Sequence, residues 1–110
     1  MAYVPQVTVL ERIDLAAEIE GMTAPALRLQ LTTYAPGARG SLHDHRGRPE
    51  AVYVLEGAIT DHRDGVETVY QQGQTYALDK GAAHRMENAG AVPARLLVAM
   101  VCDAASPGEP

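Results

Sequence analysis

Residues 50–78 read EAVYVLEGAITDHRDGVETVYQQGQTYAL, and this stretch decides the fold class. Four short runs rich in Val, Tyr, Thr and Ile are separated by turn-forming residues. Glu50–Glu56 ends at Gly57, Ala58–His62 leads into Arg63-Asp64-Gly65, Val66–Tyr70 ends at Gln71-Gln72-Gly73, and Thr75–Leu78 closes the stretch. β-Branched and aromatic side chains suit a pleated, half-buried surface. Asp-Gly between two such runs is a strong hairpin signal, because the tight two-residue turn needs positive φ. The stretch therefore predicts four consecutive strands.

The pattern continues on both sides. Downstream, Asp79-Lys80-Gly81 turns the chain, and His84–Asn88 and Arg95–Cys102 read as further strands. Upstream, Leu27, Leu29, Leu31 and Thr33 alternate with Arg28, Gln30, Thr32 and Tyr34, the period of a half-buried strand. Pro36-Gly37 and Gly40 break it, and Ser41–His45 reads as another strand before the loop Arg46–Pro49. Thr8–Leu10 reads as a first strand. The stretch ERIDLAAEIEG (residues 11–21) fits a weak helical stripe through Ile13, Ala16 and Ala17 as well as a weak strand alternation through Leu15, Ala17 and Ile19. Short strands at regular spacing predict an all-β fold, a small jelly-roll-like barrel. Residues 1–102 are expected to form this single domain, with a flexible tail over 103–110.

The composition bounds the function. The chain has 110 residues, 46% of them hydrophobic, and a net charge of −5. That suffices for one core and gives no basic stripe, so nucleic-acid binding is not expected. A single cysteine, Cys102, excludes an intrachain disulfide and a multi-cysteine metal site. No apolar run approaches membrane-spanning length. No secretory signal is visible, so the expected location is the cytoplasm. With no Trp and no Phe, the core must come from Val, Leu, Ile, Ala, Met and Tyr.

The histidines carry the chemistry. His43 and His45 sit two apart on a predicted strand, so their imidazoles share one face and Asp44 points away. Glu50 opens the next strand and can reach the same space if the two strands pair. His84 opens a later strand directly after a glycine turn. Three imidazoles and a carboxylate form a borderline N/O donor set suited to one divalent Fe, Mn, Ni, Zn or Cu ion, with about two coordination positions left open. By the same parity Val52, Val54 and Met86 line the pocket, Tyr53 points away from it, and Cys102 is buried as a small hydrophobe. His62 reads as a solvated hairpin residue.

These residues resemble the cupin superfamily. Its first motif runs Gly, five residues, His-x-His, three or four residues, Glu, six residues, Gly. Here Gly37, ARGSL, His43-Asp44-His45, RGRP, Glu50, AVYVLE and Gly57 follow that spacing. Its second motif runs Gly, five residues, Pro-x-Gly, two residues, His, three residues, Asn. Gly73, QTYAL, Asp79-Lys80-Gly81, AA, His84, RME and Asn88 match it except that Asp79 replaces the proline, and Asp is itself a good turn residue. The resemblance covers residues 37–88. It implies a β-barrel enclosing a metal held by His43, His45, Glu50 and His84, and a homodimer formed through strands.

Three function classes follow. The first is an oxidoreductase, a metal-dependent dioxygenase acting on a small organic molecule, for which no protein base is required. The second is a metal-dependent isomerase, epimerase or lyase of a sugar acid or oxo-acid, with Arg46 and Arg48 near an anionic substrate. That class needs a proton-transfer residue, and none is placed by the sequence. The third is a non-catalytic small-ligand-binding module.

Overall fold

A computed structural model describes residues 5–22, 25–42, 48–79, 81 and 83–103. Among these, eight strands and one 3₁₀ turn follow in chain order: β1 (Gln6–Asp14), the 3₁₀ turn (Leu15–Ala17), β2 (Pro25–Tyr34), β3 (Glu50–Glu56), β4 (Ala58–Arg63), β5 (Val66–Gln71), β6 (Thr75–Leu78), β7 (His84–Glu87) and β8 (Ala94–Asp103). They form a five-stranded sheet in the order β1-β2-β8-β3-β6 and a three-stranded sheet in the order β5-β4-β7, all antiparallel. The all-β, jelly-roll-like architecture expected from the sequence is the one found.

Residues 50–78 fold as β3 to β6. Arg63 pairs with Val66 across Asp64 and Gly65, whose φ values are 51° and 75°. Two central residues with positive φ make the turn whose twist matches its flanking strands. Gly57 links β3 to β4 at φ 75°, and a Cβ there would run into the Pro93 carbonyl oxygen. The ambiguous stretch 11–21 divides: Glu11–Asp14 completes β1 by pairing with β2, and Leu15 tucks inward to start the 3₁₀ turn. Of the expected strand Ser41–His45, Ser41 and Leu42 lie outside any strand, and His43–His45 lie outside the described residues. β8 extends through Asp103, one residue beyond the expected domain end, and the rest of the expected tail lies outside the described residues.

The core lies between the sheets. Val52, Val54, Leu96, Val98 and Met100 from the larger sheet pack with Ile59 and Met86 from the smaller one. Asn88 ties the loops beside this core: its Nδ2 donates to the Tyr34 and Val92 carbonyls at 2.9 and 2.7 Å, and its Oδ1 accepts from the Gly90 amide at 2.9 Å.

β2 is inverted relative to ordinary patterning. Its buried face carries Ala26, Arg28, Gln30, Thr32 and Tyr34, and Leu27 is 41% exposed on the other face. Register explains how: Arg28, Gln30, Thr32 and Tyr34 pair with Met100, Val98, Leu96 and Ala94, the inward residues of β8. Directly paired residues share a sheet face, so the polar set of β2 points where the apolar set of β8 points. No helix among the described residues is long and apolar enough to cross a membrane.

Candidate metal centre and the polar pocket

Glu50 is the first residue of β3, a strand flanked on both sides. It pairs with Met100 of β8 and Leu78 of β6, which fixes its Cα in the sheet. Its side chain is buried on the face shared with Val52 and Val54. His84 opens β7 opposite Arg63 of β4, is 1% exposed, and shares its face with buried Met86. The two candidate ligands thus come from different sheets.

His84 is oriented by a residue that the sequence did not single out. Its Nδ1 lies 2.8 Å from Oδ1 of Asp61, a buried carboxylate on the neighbouring strand β4. A carboxylate only accepts, so Nδ1 carries the proton and the Nε2 lone pair faces away from Asp61. A carboxylate behind an imidazole fixes the tautomer and the ring plane and raises the basicity of the other nitrogen. Arg63 Nη2, 3.4 Å from Asp61 Oδ2, holds the carboxylate in turn. Parity could have placed Asp61: it pairs with Met86, two residues from His84, and so shares its face.

The donor chemistry fits a divalent cation. A buried carboxylate and a buried imidazole held as the Nδ1–H tautomer are the forms a borderline metal ion takes as ligands. His43 and His45 lie outside the described residues, and among the described residues no three His, Cys, Asp or Glu side chains form a metal-ready cluster. Val52, Val54 and Met86 are 3%, 0% and 1% exposed beside Glu50 and His84. Tyr53 points outward at 44%. Asp79 shapes the turn before His84 by accepting the Gly81 amide at 2.9 Å, a side-chain turn in the proline's place. His62 does lie in the β4–β5 hairpin opposite Glu67, but it is only partly exposed and its Nε2 lies 2.8 Å from Glu87 Oε1 across the β4–β7 pair.

Tyrosines complete the interior. Tyr70 and Tyr76 stack with centroids 4.5 Å apart and ring planes at 26°. Tyr34 is fully buried, and its hydroxyl has no hydrogen-bond partner among the described residues. Burial, and then the Glu50 charge, push the Tyr34 phenol well above its usual range. Tyr76 is raised too, first by burial, then by Tyr34, Glu50, Asp61 and Tyr70. Glu50 and Asp61 both lie within electrostatic reach of the Tyr76 phenol. The phenols stay protonated near neutrality, so each is a hydrogen-bond donor. Sequence reading missed Tyr34 because it lies at the end of a leucine-alternating strand whose polar face normally meets solvent.

Comparison with known proteins shows the family. The family model described as "Cupin domain" matches residues 30–100. Germin-like protein 1 of Brassica napus is 35% identical over 95 residues, covering 82% of this chain and 44% of that protein. The oxalate-binding protein of Thermotoga maritima is 30% identical over 66 residues, covering 60% of this chain and 54% of its own length. The chain thus spans about half the length of these curated relatives. A sugar phosphate isomerase from Silicibacter pomeroyi superposes with a TM-score of 0.63 at 29% identity, covering 86% of this chain and 58% of that one.

Proposed function

The chain belongs to the cupin family, and on that premise we propose that it is a metal-dependent oxidoreductase of the dioxygenase type. Its substrate is a small organic molecule bound at a mononuclear centre inside the barrel. His43, His45, Glu50 and His84 would hold the ion. The observation that carries the reading is the buried hydrogen bond from His84 Nδ1 to Asp61, which makes Nε2 the ring nitrogen with a lone pair for a metal. A bound divalent transition metal supplies Lewis acidity and, when redox-active, electrons for dioxygen chemistry. The chain's own residues do the rest. Val52, Val54 and Met86 keep water away from the reacting centre, Asp61 fixes the His84 ring, and Tyr34 holds a proton facing the interior.

The test is metal analysis of protein purified without added metal, followed by dioxygen uptake with candidate substrates. One transition metal per chain, lost in His84→Ala and in Glu50→Gln, supports the assignment. Stoichiometric metal in both variants refutes it.

A second reading has its own support. Buried, protonated Tyr34 would offer a hydrogen bond to an oxyanion developing in an isomerase or epimerase of a sugar acid or oxo-acid. Substrate turnover without dioxygen uptake would select this reading over the first.

We also propose a homodimer. Leu29, Tyr53, Leu97 and Ala99 line an apolar groove of about 420 Å³ on the outer face of the larger sheet, and Leu27 and Leu55 stay 41% and 39% exposed. A contiguous apolar face of this kind marks an association surface.

A further inference from the structure

The side chains beside the two described candidate ligands are easily oxidised. Met100 of β8 pairs with Glu50 of β3, and Met86 follows His84 by two residues on the same face of β7. Both methionines and the free thiol of Cys102 are 1% exposed in the core. A thioether oxidised to its sulfoxide turns polar and disrupts the packing around it. An oxidising centre held by Glu50 and His84 would therefore face sulfur from both sheets.

Two phenols lead out of the same interior. Tyr76 of β6 pairs with Val52 of β3, and Glu50 pairs with Leu78, so Tyr76 occupies the inward cross-strand row next to that of Glu50. Rows on one face are about 7 Å apart. Tyr70 of β5 pairs with Ile59, a core residue of β4. β5 ends the smaller sheet and β6 ends the larger one. Their tyrosines meet across this seam, stacked with centroids 4.5 Å apart. Both rings are half-buried and pack against the core, and Tyr70 also lines a cleft of about 320 Å³ with Asp61, Arg63 and Thr68. The chain has no Trp, and a phenol gives up one electron more easily than a thioether does.

We propose that Tyr76 and Tyr70 form a redox pair that carries oxidising equivalents out of the barrel, away from Met86 and Met100. The pair rests on the metal-dependent oxidoreductase reading above, with hydrogen peroxide as the oxidant. Tyr76 loses one electron and its phenolic proton. Tyr70 returns an electron through the stack, the Tyr76 oxygen regains a proton, and Tyr70 is left as a neutral radical at the cleft. A reductant in solvent, such as ascorbate, restores Tyr70 with one hydrogen atom. Two such transfers reduce one peroxide to two waters. Without a reductant, radicals on the two rings join through a carbon–carbon bond between ortho positions. Two hydrogens leave, and again one peroxide becomes two waters.

The test treats iron(II)-loaded protein with limiting hydrogen peroxide and no reductant, and maps the products by mass spectrometry of the digest. The parent should show a Tyr70–Tyr76 cross-link within one chain and little sulfoxide. Tyr76→Phe and Tyr70→Phe should each abolish the cross-link and raise sulfoxide at Met86 and Met100 about threefold or more. Tyr53→Phe, which removes an outward-facing phenol, should match the parent. Metal content and urea unfolding of each variant separate a lost pair from a lost site or fold; where one variant fails there, the other decides. Sulfoxide within about 1.5-fold of the parent in the folded, metal-loaded variants overturns the inference. A second arm oxidises metal-free protein with light, ruthenium tris(bipyridine) and persulfate, and should give the same cross-link. If the chain takes up no metal, the oxidoreductase reading fails on its own, and this arm decides the pair: a parent without the Tyr70–Tyr76 link overturns it.

Discussion

Removing the Asp61 carboxylate separates an orienting residue from a merely structural one. In the parent, Asp61 Oδ1 accepts from His84 Nδ1 at 2.8 Å, with side-chain exposures of 8% and 1%. Asp61→Ala leaves a buried imidazole N–H facing a void, which costs about 1–3 kcal/mol of stability. It also frees the ring to rotate and lowers the basicity of Nε2. Lost orientation of this kind weakens a metal site by roughly 10- to 100-fold, or about 1.4–2.7 kcal/mol of binding free energy. Asp61→Asn keeps the shape and a neutral acceptor, so it should fall between the parent and the alanine variant. The assay is chelator competition for manganese or zinc on all three proteins, with urea unfolding of the metal-free forms alongside. If Asp61→Ala loses stability as stated but keeps its metal affinity within about threefold, the pair is only structural and the reasoning about His84 is wrong.

Three further outcomes follow from the same geometry. Gly57→Ala puts a Cβ against the Pro93 carbonyl at a φ of 75°, and should lower stability by about 3 kcal/mol or more in urea unfolding, whereas Gly65→Ala at the open hairpin tip costs less. Tyr34 is raised above its usual 10.0 by burial, so the folded chain keeps a proton that the unfolded chain loses above that pH; its contribution is intact below pH 10 and should decline by about 1.4 kcal/mol per pH unit above it, and Tyr34→Phe should remove that share of the slope while leaving the share of Tyr76. Tyr53→Glu and Leu27→Glu, on the outer apolar face, should convert a dimer to a monomer by light scattering while leaving metal content unchanged; a parent that is already monomeric would end the dimer proposal.

The sequence by itself determined the turns and the strands from β3 to β8, but not the extent of β1, Gln6–Asp14 against the expected Thr8–Leu10, nor the expected strand at Ser41 and Leu42. Turn chemistry is local: Asp64-Gly65 needs positive φ, Gly57 cannot carry a Cβ, and Asp79 bonds its own turn through the Gly81 amide. β3 and β6 start and stop where the glycines and the β-rich runs said they would. Motif spacing likewise located Glu50 and His84 at the first residues of two strands. Only the tertiary structure decided which face of β2 is inside. Alternation gives the period of a strand but not its sign, and the usual rule, leucines inward, fails when the pairing partner commits the other face to the core and a pocket has use for polar groups. The same holds for Asp61. Nothing adjacent in sequence links it to His84, and it acquires its role only because β4 and β7 pair with Asp61 opposite Met86. Register between distant strands is a property of the whole barrel, and it is what converts a list of histidines, carboxylates and tyrosines into a site.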